Sequence, residues 1–213
     1  MTDMVAKKIS GTAVPFMQAD INTDRIMPGD WLMRGHSEGF GVGLFAEERY
    51  LADGTDNPDF ILNRKPWKTA TILLAGRNFG CGSTREEAPL GLRGYGFRCV
   101  IASGFPAVFF ANCFRNGVLA VVLPPEKVAA LAEMAERSGG HAIFDIDLQR
   151  QLIIPPDGEA IAFQSPPKLL RMLIEGTDEI GLTLGLSEQI EAFRKADRER
   201  RPWAYPPAAE AAL

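Results

Sequence analysis

Short apolar runs alternate with amphipathic stretches through the middle of the chain, and this alternation predicts strands that are followed by helices. The predicted strands are 9–18, 69–75, 97–102 and 118–123, and the predicted helices after the last three are 84–93, 105–115 and 125–137. Because strands joined through helices by short links require crossover connections, we expect these strands to pair in parallel.

The pattern changes after Gly140, where two apolar runs predict an antiparallel hairpin. The elements expected there are strands at 143–148, 151–154 and 160–163, a helix at 166–174 and a charged final helix at 186–201. Together the elements predict an α/β fold with a mixed, partly parallel sheet core flanked by helices. Since no linker or repeat interrupts residues 1–203, we expect one domain, with 204–213 as a flexible tail.

Two polar segments lie between the first two predicted strands. Residues 20–28 are typical of a turn in which Asx and Thr side chains bond nearby amides, although Asp24 could instead orient a reacting hydroxyl. Residues 30–50 mix aromatic, charged and glycine positions, which is typical of a mobile flap as much as of packed structure. Arg34 is the side chain there best able to bind a carboxylate, although a single arginine is more often a solvated charge.

The stretch that best fits a functional site is the turn after the strand at 69–75, Gly76-Arg-Asn-Phe-Gly-Cys-Gly-Ser-Thr-Arg-Glu86. Its glycines permit φ > 0 or a close approach of the backbone to another group. The capping-box spacing of a helix start occurs twice, in Ser83–Glu86 and in Thr84–Glu87. The turn is therefore expected to lead directly into the helix at 84–93.

Arg85 follows both hydroxyls, so exposed amides, the helix dipole and a guanidinium are expected at one place, which suits a carboxylate or phosphate. Simple turn chemistry is the alternative, because glycines followed by a serine cap are common. The spacing matches neither Gly-x-Gly-x-x-Gly nor the Gly-Lys-Ser/Thr phosphate loop. Pro89 conflicts with an early helix start, so either the helix begins nearer to Pro89 or its first turn is distorted.

Composition and charge exclude several classes of protein. The formal net charge of −4 gives no general attraction to polyanions, and without a basic patch nucleic acid is not an expected partner. Cys81, Cys99 and Cys113 include no Cys-x-x-Cys pair, so they predict neither a disulfide framework nor a metal site in this chain, and they fit a reducing cytoplasm. With no apolar stretch of spanning length and no signal-peptide core, we expect no membrane association.

Several motifs together resemble one known family. The Gly-x-Gly-Ser-Ser-Arg-Glu signature of the swivel domain in the aconitase superfamily is similar to Gly80-Cys-Gly-Ser-Thr-Arg-Glu86. Segments 22–28, 39–41 and 179–184 further resemble the small subunits of bacterial 3-isopropylmalate dehydratases, and the likeness covers nearly the whole chain. The resemblance implies an aconitase-type swivelling β/β/α domain in a hydro-lyase that is active only with a large subunit.

The resemblance also implies roles for particular residues. The large subunit would carry a [4Fe-4S] cluster, while this chain would bind no metal itself and would close over a small diacid substrate. Ser83 would act as an alkoxide base, Asp24 would help to orient its site, and Arg85 would hold a substrate carboxylate in a bidentate fork. The residues that the resemblance assigns to substrate binding are Arg85, Thr84, Arg34 and Gly82.

The implied reaction interconverts 2-isopropylmalate and 3-isopropylmalate in leucine biosynthesis, and three departures from the family pattern leave alternatives open. Thr84 replaces a serine, Glu87 replaces a histidine, and Ser37-Glu38 replace Arg-Thr in the flap where side-chain selectivity is expected. A sister hydro-lyase acting on a dialkylmalate, citramalate or citraconate is therefore the second hypothesis. A non-catalytic RNA-binding relative of aconitase is the third, and the acidic charge disfavours it.

Overall fold

The structure is a computed structural model that describes residues 7–205, and within them seven strands form one mixed sheet. In chain order the strands are β1 (Lys8–Phe16), β2 (Ile72–Ala75), β3 (Cys99–Ala102), β4 (Leu119–Val122), β5 (Ile143–Asp147), β6 (Leu152–Ile154) and β7 (Ile161–Ala162). Across the sheet their order is β4-β3-β2-β1-β5-β6-β7. β1 to β4 run parallel, whereas β5, β6 and β7 are antiparallel to their neighbours, which confirms the predicted mixed sheet.

The two halves of the sheet differ in burial, as their pairing requires. Every residue of β2 and β3 is buried, and both strands are continuously apolar, as expected for parallel strands that are covered on both faces. β5 instead alternates, with Phe144 and Ile146 buried and their neighbours more exposed, which is typical of an antiparallel strand with one solvated face. The parallel strands therefore form the centre of the core.

Helices occupy most connections between the strands. The α-helices of the described chain are α1 (Thr23–Ile26), α2 (Asp30–Glu38), α3 (Phe40–Gly43), α4 (Ala46–Arg49), α5 (Glu87–Tyr95), α6 (Ala107–Arg115), α7 (Pro125–Arg137), α8 (Pro167–Glu175), α9 (Glu179–Leu184) and α10 (Ser187–Arg200). The bounds of α7 are those predicted, because Pro125 supplies the preset φ of a first helical position. Within residues 7–205, no helix has the length and apolar character needed to cross a membrane.

Residues 30–50 form α2, α3 and α4, so this segment is helical where the sequence left a mobile flap and packed structure as alternatives. The glycines there permit close packing, since a Cβ added to Gly41 would lie 2.3 Å from the carbonyl carbon of Gly94 in α5. Arg49 is only 4% exposed and donates to the carbonyl of Gly41 at 3.0 Å and to that of Val42. A buried guanidinium thus holds α3 to α4, where sequence composition alone is typical of a loop.

The described chain divides into two compact units, one ending at Gly176 and the other beginning at Thr177. The first unit contains the sheet and α1 to α8, and the second contains α9, α10 and a 3₁₀ turn at Pro202–Ala204. The expectation of a single domain over 1–203 stays a prediction. Of the predicted tail at 204–213, residues 206–213 lie outside the described residues.

One carboxylate organises the end of the second unit. The buried side chain of Asp197 accepts hydrogen bonds from Arg201 at 2.6 and 2.8 Å, from Tyr205 at 3.0 Å and from Arg200 at 3.1 Å. These donors, Arg201 above all, hold the pKa of Asp197 well below its usual range. Asp197 therefore ties the last turn of α10 to the residues that follow it.

Candidate active site

The turn at residues 76–86, called the motif turn from here on, lies beside the connection that follows β1. The two segments leave the carboxyl ends of adjacent parallel strands, the edge at which α/β sheets usually bind ligands. The amides of Gly80 and Cys81 donate to the carbonyl of Ile21, at 2.8 and 3.1 Å. The amide of Thr23 donates to the carbonyl of Cys81 at 2.7 Å. Backbone pairing thus continues beyond the strands and fixes the motif turn.

Two glycines of the motif turn are required by their surroundings. Gly82 has φ +99°, and a Cβ there would lie 2.4 Å from Oδ1 of Asn22. Gly80 has φ +81°, and a Cβ there would lie 2.3 Å from the ring of Phe109 in α6. Both positions therefore combine a backbone conformation that favours glycine with a close approach, which confirms the use predicted for these glycines.

Four side chains, which we call the Ser83 cluster, meet between the two segments: Thr23, Asp24, Ser83 and Arg85. Oγ of Ser83 lies 2.9 Å from Oγ1 of Thr23, and Nε of Arg85 donates to Oγ of Ser83 at 2.8 Å. Nη2 of Arg85 forms an ion pair with the carboxylate of Asp24. Asp24 therefore contacts the guanidinium, and acts on Ser83 through Arg85. Ser83 itself is half-buried.

The structure corrects the predicted helix start. α5 begins at Glu87, and its N-cap Glu86 makes no side-chain capping bond, so both predicted capping boxes are wrong. The hydroxyl of Ser83 contacts Thr23 and Arg85 instead of a helix amide. Because proline is tolerated only in the first turn of a helix, Pro89 sets the late start that the sequence left as one alternative. Within the Ser83 cluster, positive charge comes from Arg85 rather than from a helix terminus.

Helix α6 supports the motif turn through Asn112. Asn112 is 3% exposed, and its Nδ2 donates to the carbonyl of Thr84 at 3.1 Å. Its Oδ1 accepts a hydrogen bond from Arg115 at 3.1 Å. A polar side chain among the apolar residues of α6 was the available signal, because buried amides are normally hydrogen-bonded. The side chain of Thr84 is exposed.

Arg34 is not part of the Ser83 cluster. Its guanidinium bonds the carboxylate of Glu38 through Nε and Nη2, both at 3.1 Å, and lies over the ring of Trp31 at 3.9 Å. Arg34 and Glu38 line a cavity of about 470 Å³ beside α2 and α4. Glu38 also lines a neighbouring cavity of about 380 Å³. Among residues 7–205, Arg34 makes no recorded contact with Ser83, Arg85 or Asp24.

The cysteines differ in their access to solvent. Cys99 and Cys113 are fully buried, and burial raises the pKa of both thiols, which keeps them protonated. Cys81 is half-buried in the motif turn. Across the described residues, no group of three or more His, Cys, Asp or Glu side chains is arranged to hold a metal ion.

The chain is similar to known proteins over most of its length. Residues 4–126 match the family described as the aconitase C-terminal domain. The 3-isopropylmalate dehydratase small subunit of Agrobacterium fabrum is 47% identical over 197 residues, covering 92% of this chain and 98% of the relative. That of Rhodospirillum centenum is 45% identical over 196 residues, covering 92% and 96%.

A solved structure has the same fold. The crystal structure of a 3-isopropylmalate dehydratase from Methanocaldococcus jannaschii superposes with a TM-score of 0.59 at 24% identity, covering 88% of this chain and 99% of that one. The predicted aconitase-type α/β fold is therefore confirmed, as is the predicted resemblance. The chain belongs to the aconitase C-terminal domain family and, within it, to the family of 3-isopropylmalate dehydratase small subunits.

Proposed function

We propose that this chain is the small subunit of a hydro-lyase that interconverts 2-isopropylmalate and 3-isopropylmalate through isopropylmaleate, in leucine biosynthesis. The names of its relatives support this reaction, and they support a separate large subunit as partner. The observation that carries the proposal is the 2.8 Å contact from Nε of Arg85 to Oγ of Ser83 within the motif turn. The three free thiols support a reducing compartment, and we place the enzyme in the cytoplasm.

Membership of the aconitase family implies an iron–sulfur cluster, and we assign the [4Fe-4S] cluster to the large subunit. The donors in this chain do not fit a cluster, since Cys99 and Cys113 are buried in the core and Cys81 is the remaining thiol. When bound, such a cluster supplies a Lewis acid for the hydroxyl that leaves the substrate. The chemistry assigned to this chain is confined to proton transfer and substrate binding.

Ser83 is the general base in this proposal, and its anion removes a proton from the substrate carbon adjacent to the one that carries the leaving hydroxyl. Free serine is far too weakly acidic for that role, so its anion must be stabilised. The guanidinium of Arg85 contacts Oγ of Ser83 and favours the anion by charge and by hydrogen bonding. Asp24 holds that guanidinium in place through the ion pair on Nη2.

Arg85 also has donors left for a substrate carboxylate. A guanidinium carries five N–H groups, and the contacts with Ser83 and Asp24 use one on Nε and one on Nη2. The edge formed by Nη1 and Nη2 therefore remains for a bidentate bond to the diacid. The exposed Thr84 hydroxyl is the second group that we assign to substrate binding, and the role of Gly82 in substrate binding stays a prediction.

The role of Arg34 as a second carboxylate-binding residue stays a prediction. Its charge is balanced by Glu38 on the same helix, so binding of a diacid there requires rearrangement of that pair. Glu38 is also one of the departures from the family pattern, and it lines both cavities beside α2. A carboxylate at this place favours our second candidate, a sister hydro-lyase for a dialkylmalate, citramalate or citraconate.

The test is to co-express this chain with its large subunit, reconstitute the cluster anaerobically and measure hydration of isopropylmaleate, citraconate and dimethylmaleate. We expect kcat/KM to be highest for isopropylmaleate. A clear preference for another diacid would replace the first candidate by the second. A loaded complex that hydrates none of the three acids would contradict both candidates. The large subunit alone is the matched control, and it should be inactive.

A further inference from the structure

Thr23 occupies a fixed position beside Ser83 that neither the sequence motif nor the comparisons assign. It is the first residue of α1 and is only 2% exposed. Its amide donates to the carbonyl of Cys81 at 2.7 Å, and its Oγ1 accepts the amide of Ser83 at 2.9 Å. These two bonds join α1 to the motif turn on both sides of Gly82, so they fix the position of the Thr23 hydroxyl.

The hydroxyl of Thr23 has two possible acceptors for its single proton. A threonine hydroxyl carries one donor and two acceptor lone pairs, and the Ser83 amide occupies one lone pair. The remaining proton is within reach of Oγ of Ser83 at 2.9 Å and of Oδ1 of Asn22 at 3.3 Å. Oδ1 of Asn22 itself is fixed, because it accepts the amide of Asp24 at 2.8 Å.

Which acceptor is used depends on the protonation of Ser83. While Ser83 is neutral, its own proton can point to Oγ1 of Thr23, and the Thr23 proton then points to Asn22. Once Ser83 is an anion it can only accept, so the Thr23 proton turns to Oγ of Ser83. The anion then has two side-chain donors, Thr23 and Nε of Arg85. Hydrogen bonds to an ionised acceptor are about twice as strong as neutral ones, so this arrangement favours the anion.

We propose that Thr23 is a positioning residue that stabilises the anion of Ser83, by turning its hydroxyl from Asn22 to Ser83 when the serine loses its proton. The proposal rests on the proposed function in one respect, which is that Ser83 acts as the base. The contacts of Thr23 described above are made within this chain alone.

The effect of Thr23 on the Ser83 anion can be measured separately from the effects of the charged groups nearby. Arg85 contacts Ser83 directly, Asp24 offsets part of its charge, and Glu86 and Glu87 follow in the chain. From α6, Arg115 reaches the site only through Asn112 and the Thr84 carbonyl. None of these groups is altered when Thr23 is replaced by the isosteric Val, whereas Ser at this position keeps the hydroxyl and loses only a methyl group.

The direct test places a titratable reporter at position 83 of the isolated full chain. Ser83→Cys is introduced with Cys81→Ala, and the pKa of the introduced thiol is measured from the pH dependence of alkylation by iodoacetamide. We expect Thr23→Val to raise that pKa by about one unit and Thr23→Ser to change it by no more than a few tenths. Equal pKa values with Thr, Ser and Val would overturn the proposal. A rise with Ser as large as that with Val would also overturn it, because the methyl group would then be responsible.

A second measurement uses the complex with the large subunit and native Ser83. Thr23→Val should lower kcat about 10-fold or more with little change in KM, and should move the acidic limb of the kcat profile to higher pH, while Thr23→Ser retains both. In the Ser83→Ala background, Thr23→Val should have no further effect. An unchanged profile for Thr23→Val in an active complex contradicts the inference about Thr23 and leaves the proposed function standing. A complex that fails on every diacid contradicts the proposed function, and the thiol pKa still decides the role of Thr23.

Discussion

Arg85 and Arg34 are both paired with a carboxylate, but their pairs are built in different ways. Arg85 bonds Asp24, 61 residues away, and the hydroxyl of Ser83, so its position depends on the meeting of two segments at the edge of the sheet. Arg34 bonds Glu38 one turn further along α2 and stacks on Trp31 in that same helix. The side chain of Arg85 is 35% exposed and that of Arg34 is 52% exposed.

Of the two arginines, Arg85 is the one that the fold holds in place. A guanidinium that joins the motif turn to α1 and contacts a hydroxyl has little freedom, and its orientation is available before a substrate arrives. An exposed ion pair between residues four apart in a helix depends only on local sequence, and it contributes little to stability. The structure therefore favours Arg85 over Arg34 as the residue that carries the chemistry.

Replacing each arginine by lysine tests this comparison most strongly. In the complex with the large subunit, Arg85→Lys should lower kcat/KM about 100-fold, because one ammonium cannot contact Ser83, Asp24 and a substrate carboxylate in a planar fork. Arg34→Lys should lower kcat/KM no more than about threefold, since lysine keeps the pair with Glu38. Steady-state kinetics on both variants measure the contrast. Equal losses would show that Arg34 shares the role.

Asn112→Ala tests whether the motif turn depends on α6. The substitution leaves the carbonyl of Thr84 without its buried donor, so we expect the free energy of unfolding to fall by about 1–3 kcal/mol and kcat to fall with it. The matched control is Asn116→Ala at the end of the same helix, where Nδ2 bonds only the carbonyl of Asn112. Urea unfolding followed by circular dichroism compares the two variants. If both lose the same stability and activity, the motif turn does not need the contact from α6.

Glu38→Gln should have the smallest effect of these substitutions. It removes the charge that balances Arg34 but leaves the Ser83 cluster intact, so kcat for isopropylmaleate hydration should stay within about twofold. If Arg34 does bind a substrate carboxylate, its release from Glu38 should lower KM for the diacid. Kinetics with several diacids on this variant measure both quantities. A large fall in kcat would show that Glu38 belongs to the catalytic site.

Helices and strands that are determined by their own sequence were predicted well. Segments whose structure depends on tertiary contacts were not. Helix α7 has the predicted bounds because Pro125 and an amphipathic period determine it locally. Residues 30–50 were harder to predict, because their glycines weaken helix propensity, and tertiary contacts such as the packing of Gly41 against Gly94 and the hydrogen bonds of the buried Arg49 offset this. In this segment helix propensity disfavours helices and tertiary packing favours them, and the helices form.

The residues of the candidate site likewise fall into those that were predicted from the sequence and those that were missed. Ser83 and Arg85 were predicted because they are close in one motif, and Asp24 because the family resemblance includes it. Thr23 and Asn112 were missed as site residues, since their contacts with the motif turn span 60 and 28 residues of sequence. The capping boxes were wrong for a related reason. A hydroxyl can bond a helix amide or a distant partner, and only the fold decides which of the two is near.

Whether the anion of Ser83 removes the substrate proton is decided by Ser83→Ala in the complex with the large subunit. The variant should assemble normally by size-exclusion chromatography, while kcat for isopropylmaleate hydration falls roughly 10³-fold or more. Ser10→Ala, at an exposed position of β1, is the matched control and should keep normal kcat. Near-normal turnover by the assembled Ser83→Ala complex would contradict the account.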